Sequence, residues 1–122
     1  MAQQDHNLQM DYIEFPATDI EATKRFYGQV FGWKFTDYGP DYTSFEDGRL
    51  AGGFNKGADP AGIGQPKTRG VLVVIYASAL EDVYAKVKEA GGRILRETFD
   101  FPGGRRFHFA DPSGNELAVW SE

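Results

Sequence analysis

The chain repeats its own pattern at a distance of sixty residues, and this constrains the fold more than any other feature of the sequence. Superposed at that offset, Ala17 falls on Ala77, Thr18 on Ser78, Ile20 on Leu80, Glu21 on Glu81 and Gly32 on Gly92. Helix cap, first apolar contact and helix stop therefore coincide, although few residues are identical. In the first copy MDYIEF (10–15) reads as a strand ended by Pro16, and Thr18 or Asp19 offers an N-cap. Ile20, Phe26, Tyr27, Val30 and Phe31 then recur at helical spacing up to Gly32, a suitable C-cap. WKFTDY (33–38), DYTSFE (41–46) and LAGGFN (50–55) follow as strands, divided by Gly39-Pro40 and by Asp47-Gly48, the second marking a tight hairpin.

The second copy runs in the same order. VLVVIYA (71–77) is a continuous apolar run typical of a buried strand, and Ser78 is positioned to cap a helix carrying Leu80, Val83, Val87 and Ala90 until Gly91-Gly92. RILRET (93–98), RRFHFA (105–110) and NELAVW (115–120) supply three strands around FDFPGG and DPSG turns. Between the copies, KGADPAGIGQPKTR (56–69) is rich in Gly and Pro, without aromatics or strand periodicity, and reads as a linker. The expectation is one α+β domain over 1–122, with a βαβββ module at about 8–55 and another at about 70–121. Each helix covers one face of a four-stranded mixed sheet and leaves the other face cupped, lined by alternate residues.

Composition narrows the partners. A chain of 122 residues with 41% hydrophobic content is the size of one domain. No apolar run approaches the ~20 residues that cross a bilayer, and MAQQDHNLQ is too polar for a signal peptide, so a cytoplasmic protein without membrane contact is expected. With no cysteine, disulfides, thiolate zinc sites and cysteine nucleophiles are excluded. A net charge of −5 argues against nucleic acid, which needs clustered Lys and Arg, and favours cationic or neutral ligands.

Paired βαβββ modules, a first strand running into ATD, a helix ending FYGQVFGW, a second ending EAGG, and the terminal DPSGNELAVW together resemble the glyoxalase, bleomycin-resistance and extradiol-dioxygenase superfamily, also called vicinal oxygen chelate proteins. The resemblance spans about residues 8–121. It implies metal-ligand positions on the cup: a His or Gln seven residues before the Asp of the TD pair, which is Tyr12 here; a His near the start of the second module, which is Leu72; and a Glu on the last strand, which is Ala118. Catalytic divalent metals take at least three donors from His, Glu, Asp or Cys. No metal ligand and no cofactor is therefore expected, although a divalent metal is not closed off.

Strand alternation adds the rest of the face. Glu14 joins Tyr12, Val74 and Tyr76 join Leu72, and Glu116 and Trp120 join Ala118, while His108 and Arg106 share a side of the preceding strand. His108 and Glu14 are the candidate catalytic residues. Tyr12, Leu72, Val74, Tyr76, Arg106, Ala118 and Trp120 are the candidate ligand contacts. Structural readings stand beside these: Glu14 and Arg106 as an exposed ion pair worth at most ~1 kcal/mol, His108 as a hydrogen-bonded strand residue, Trp120 as closure of the sheet edge, and Trp33 as core or interface. His6 falls in a tail expected to be disordered. Arg105 and Arg106 must point to opposite faces, and DPSGN supplies turn chemistry.

Three functions remain open from the sequence. One is a metal-free, bleomycin-resistance-like binder of an aromatic or cationic small molecule. Another is a glyoxalase-like lyase, isomerase or dioxygenase-type enzyme using Glu14 and His108, with or without a divalent metal. The third is an accessory protein with a vestigial pocket. A homodimer is expected, because open sheet edges are a liability that pairing removes.

Overall fold

Asp19 decides where the first helix begins. Its backbone is extended and its side chain accepts from Ala22 N, so α1 runs Ile20–Phe31 and stops where Gly32 turns left-handed at φ 73°. The structure is a computed structural model and describes residues 5, 7–56 and 71–122. The expected linker, apart from Lys56, and His6 lie outside the described residues. Around α1 stand β1 (Tyr12–Pro16), β2 (Lys34–Asp37), β3 (Tyr42–Glu46) and β4 (Ala51–Asn55). The second module comprises β5 (Val73–Tyr76), α2 (Leu80–Glu89), β6 (Arg93–Phe101), β7 (Gly104–Ala110) and β8 (Glu116–Ser121).

The strands form two four-stranded mixed sheets, ordered β1-β4-β3-β2 and β5-β8-β7-β6. In each, the first and last strands of the module pair in parallel and the remaining pairs are antiparallel. The sixty-residue repeat is thus a repeat of topology as well as of helix caps, and the paired-module α+β architecture is the one observed.

One aromatic core joins the modules. Tyr27 stacks on Trp33 at 4.6 Å and on Phe54 at 5.0 Å, Trp33 on Phe45 at 4.4 Å, and Phe26 and Phe31 reach Phe109 of β7 at 5.8 and 6.0 Å. Each buried ring contributes on the order of 2–3 kcal/mol of transfer free energy. Trp33 is accordingly a core residue.

The DPSGN turn does more than reverse the chain. Asp111 Oδ1 accepts from the backbone N–H of Ser113 and Asn115, both at 2.9 Å, while Gly114 supplies φ 87°. Asn115 Nδ2 then donates to Pro16 O at 2.9 Å and Ser113 Oγ accepts from Thr18 N at 2.8 Å. The turn is buried and clasps the end of β1.

Three local expectations need correction. Ala79, not Ser78, is the N-cap of α2, and it makes no side-chain cap bond. The 71–77 run is not a fully buried strand: β5 is the outer strand of its sheet, with Val74 41% and Tyr76 52% exposed. This sheet packs one face on the core, through Val73 and Ile75, and leaves the other open, so alternate residues of an apolar run stay exposed. Finally, β6 continues through Asp100 and Phe101, which the sequence assigned to a turn, and carries two register shifts against β7, between Ile94 and Arg96 and between Arg96 and Phe99. Bulges break the two-residue alternation on which strand boundaries were judged.

Candidate functional site

Each sheet turns one face into the aromatic core, and the alternate residues occupy the other, open face. In the first sheet the register places Tyr12 beside Ala51, Glu14 beside Gly53 and Tyr42 beside Asn55. Tyr12 and Tyr42 meet phenol to phenol at 2.5 Å, Tyr42 Oη donates to Glu14 Oε1 at 2.9 Å, and Asn55 Nδ2 reaches Glu14 Oε2 at 3.5 Å. Both phenols converge over Gly53, where a Cβ would collide with Tyr42 and Tyr12; the missing side chain is what lets them meet. Burial first, then the bonds to Tyr12 and Glu14, hold the Tyr42 phenol well above its usual pKa, so it serves as a donor.

The open face of the second sheet carries the histidine. His108 is opposite Ala118, Arg106 opposite Trp120 and Val74 beside Ala118. Leu72, just before β5, is half-buried. The carboxylate partner of His108 is Glu116, diagonal to it across β7 and β8: Nδ1 lies 2.8 Å from Glu116 Oε2, with both side chains about nine-tenths buried. Against a carboxylate oxygen, which accepts, Nδ1 is the donor of this bond, and in the tautomer that carries its proton on Nδ1 the other nitrogen, Nε2, is an acceptor. Nε2, Glu116 Oε1 and Arg106 Nε are buried without a partner among the described residues.

Aromatic side chains frame this pair. Phe99 lies 5.9 Å from the His108 ring, Trp120 packs edge-on to Tyr76 at 5.1 Å and to Phe101 at 6.2 Å, and Arg96 stacks on Phe99 at 3.6 Å. Tyr76 Oη donates to Glu122 Oε1 at 2.5 Å, a bond that raises its pKa. Arg105 faces the other way and pairs with Glu81 of α2, so of the two arginines only Arg106 serves the open face.

The candidates from the sequence thus fall into two groups. Tyr12 and Glu14 join Tyr42 and Asn55 on one sheet; Val74, Tyr76, Arg106, His108, Ala118 and Trp120 share the other. Glu14 and His108 stand on different sheets, and Glu14 forms no ion pair with Arg106. Sequence reasoning missed Tyr42, Arg96, Phe99 and Phe101 and passed over Glu116. Alternation along β3 would have found Tyr42; alternation along β8 did place Glu116 on the open face, but it gave no sign that its carboxylate reaches His108. For Arg96 no such signal existed, because strict alternation from the core residue Ile94 sends it inward, and only the bulge turns it out.

At the three positions where metal-dependent relatives place ligands stand Tyr12, whose phenol is bonded to Tyr42, Leu72, a hydrocarbon, and Ala118, a buried methyl group. Among the described residues no three His, Cys, Asp or Glu side chains converge as a cation site. No helix among them is long and apolar enough to cross a membrane.

Two βαβββ modules sharing a core, each with an open polar and aromatic sheet face, define the class of paired-module α+β folds. The chain belongs to the Glyoxalase/Bleomycin resistance protein/Dioxygenase superfamily, whose sequence profile matches residues 9–119. It is similar to the anthracycline biosynthesis protein DauV of Streptomyces sp. (strain C5), with 32% identity over 124 positions that cover 89% of this chain and 45% of that protein. It is also similar to the putative glyoxylase CFP32 of Mycobacterium bovis, with 29% identity covering 90% and 44%. The chain therefore spans less than half the length of these curated relatives. Among solved structures, a glyoxalase-related enzyme from Fulvimarina pelagi superposes with a TM-score of 0.75 at 21% identity, over 94% of this chain and 88% of the other. The fosfomycin resistance protein FosX from Mesorhizobium loti does so with 0.74 at 16%, over 94% and 92%. At these identities the two structures speak to the fold.

Proposed function

We propose that the chain is a small-molecule-binding member of its superfamily that takes a planar aromatic ligand on the open face of the second sheet. The observation that carries this reading is the buried His108–Glu116 pair, with Nε2 and Oε1 left unpartnered beside Phe99, Phe101, Tyr76 and Trp120. Buried polar atoms without partners cost about 1–3 kcal/mol each, which a ligand presenting N–H or O–H donors to these two acceptors offsets, and aromatic side chains supply the stacking surface. Of the aromatic and cationic classes expected from composition, this face favours the aromatic one. The donor set does not fit a divalent metal, so no step is assigned to one. A thermal-shift screen tests the reading, since a ligand at about 100 times its Kd stabilises by about 2.7 kcal/mol. Planar aromatics should raise Tm, less so in His108→Phe. A shift with Zn2+ or Ni2+ alone, with none from aromatics, overturns it.

The binding unit in this reading is a homodimer. β1 and β5 are outer strands with no strand on their free sides among the described residues, and the exposed large apolar residues Leu8, Met10, Tyr12, Val71, Val74 and Tyr76 lie on them or lead into them. Unpaired edges flanked by apolar side chains favour association, and a second copy presents the complementary edges by symmetry.

The His108–Glu116 geometry favours a second reading, proton transfer of the lyase or isomerase type. His108 Nε2 would accept a proton from an acidic C–H or O–H of the ligand while Glu116 stabilises the imidazolium. Solvent deuterium appearing in a bound carbonyl compound, and lost in His108→Phe, supports it; deuterium uptake unaffected by that substitution sinks it.

A further inference from the structure

We infer that Arg106 and Arg96 form an oxyanion-binding subsite on the open face of the second sheet, so that the aromatic ligand carries a carboxylate beside its ring. This rests on the aromatic-ligand reading and names the ligand's charged group. Although the chain has 18 acidic and 13 basic residues, neither guanidinium has a carboxylate partner among the described residues, whereas Arg105, its neighbour on the core side, is paired with Glu81. Aromatic faces hold both instead. Arg96 stacks on Phe99 at 3.6 Å, and Arg106 lies between Phe99 at 5.4 Å and Phe101 at 5.6 Å.

Stacking fixes a guanidinium plane while leaving its N–H edge free, which is the arrangement that receives a two-oxygen anion as a fork. Arg106 Nε is buried with no partner, next to the unpartnered His108 Nε2 two residues along β7. Glu116, on the neighbouring strand, bonds His108 Nδ1 through Oε2 and forms no ion pair with either arginine among the described residues. Trp120 is the cross-strand partner of Arg106, and Phe101 touches both. A ring stacked against Trp120 would therefore place a substituent at Arg106. Two guanidinium groups thus stand on one face of an acidic chain, and an anionic group at that face meets them at short range, where the net charge of the whole surface counts for less.

The test titrates the full chain with 2-naphthoate, its neutral isostere 2-naphthalenemethanol and the cation 2-naphthylmethylamine, following binding by calorimetry. The acid should bind on the order of tenfold tighter than the alcohol, the amine weaker than both, and added salt should narrow the gap. Arg106→Gln should abolish the preference for acid over alcohol, and so should Arg96→Gln, an exposed position whose replacement leaves the core untouched. Arg105→Gln should retain it. Equal binding of acid and alcohol, a preference for the amine, or an acid preference unchanged in both Arg106→Gln and Arg96→Gln overturns the oxyanion subsite while the aromatic site stands. Failure of all three probes to bind at millimolar concentration overturns both.

Discussion

Tyr27 Oη donates a 2.9 Å hydrogen bond to Asp111 Oδ2, tying the middle of α1 in the first module to the turn between β7 and β8 in the second. Both groups are buried. Burial foremost, then the Asp111 charge, holds the Tyr27 phenol well above its usual pKa, so it remains a donor at any pH the fold survives. Asp111 satisfies four donors at once: Tyr27 Oη, Asn115 Nδ2 and the backbone N–H of Ser113 and Asn115. The bond sits where the aromatic core and the turn meet, and it registers one module on the other.

Tyr27→Phe removes one of these donors and should cost about 1.5 kcal/mol, whereas Asp111→Ala strands all four and should cost about 3 kcal/mol or more. Urea unfolding measures both. Equal costs for the two variants would mean that the tyrosine hydroxyl, rather than the acceptor it shares with three other donors, is the principal term.

Stability should also respond to pH through Asp111. Burial raises its pKa from 3.8, against the opposing hydrogen bonds from Asn115, Tyr27 and Ser113. The folded chain therefore holds the proton to higher pH than the unfolded chain. That contribution is complete below the unfolded pKa and is lost as pH rises through the folded one. Relative to Asp111→Asn, the wild type should lose stability from about pH 4 upward and level off once the carboxyl is ionised. A difference that grows with pH over that window would reverse the sign.

Gly53→Ala should part the two phenols of the first sheet. The new Cβ occupies the space of Tyr42 Oη and Tyr12 Oη, so the tyrosines must swing away and Glu14 loses the Tyr42 bond. A cost of about 1–3 kcal/mol is expected from the overpacking. Tyrosine fluorescence or NMR of the two phenols should change with it. A silent substitution would show that the pair has room to rearrange.

Association should depend on the outer strands. Val74→Lys places a charge on the exposed face of β5, an edge strand, where the folded monomer tolerates it. Sedimentation at micromolar concentration should show the wild type as a dimer and Val74→Lys as a monomer with an unchanged circular dichroism spectrum. A monomeric wild type removes the dimer from the proposal.

Much of this was legible in the residues. Caps and helix stops at a fixed sixty-residue offset gave both modules, because Asp19, Gly32 and Gly91-Gly92 act through local backbone geometry that sequence encodes directly. Alternation gave the open face of β1 and β8, including Trp120 and Ala118. What the residues concealed was nonlocal. Glu14 and His108 were named together as the catalytic candidates, yet they stand on different sheets, and the carboxylate that reaches His108 is Glu116, diagonal across a strand pair. The net charge of −5 favoured cationic or neutral ligands, but charge is a sum over the surface and does not show that Arg96 and Arg106 share the face with His108. The DPSGN segment was read as a turn, and only the packed fold shows it bonded to Pro16 and Thr18.

The two register shifts in β6 bear on how relatives of this chain are compared. Each shift adds one residue to β6 without a counterpart in β7. A chain one residue shorter at Leu95, and shorter again between Arg96 and Phe99, would pair with β7 as an unbroken ladder and still set an arginine opposite the histidine and a phenylalanine opposite Arg106. Position-by-position alignment of such a chain would report both side chains as missing from a surface that in fact displays them. In this strand it is the register, and not the residue number alone, that decides which side chains stand beside His108.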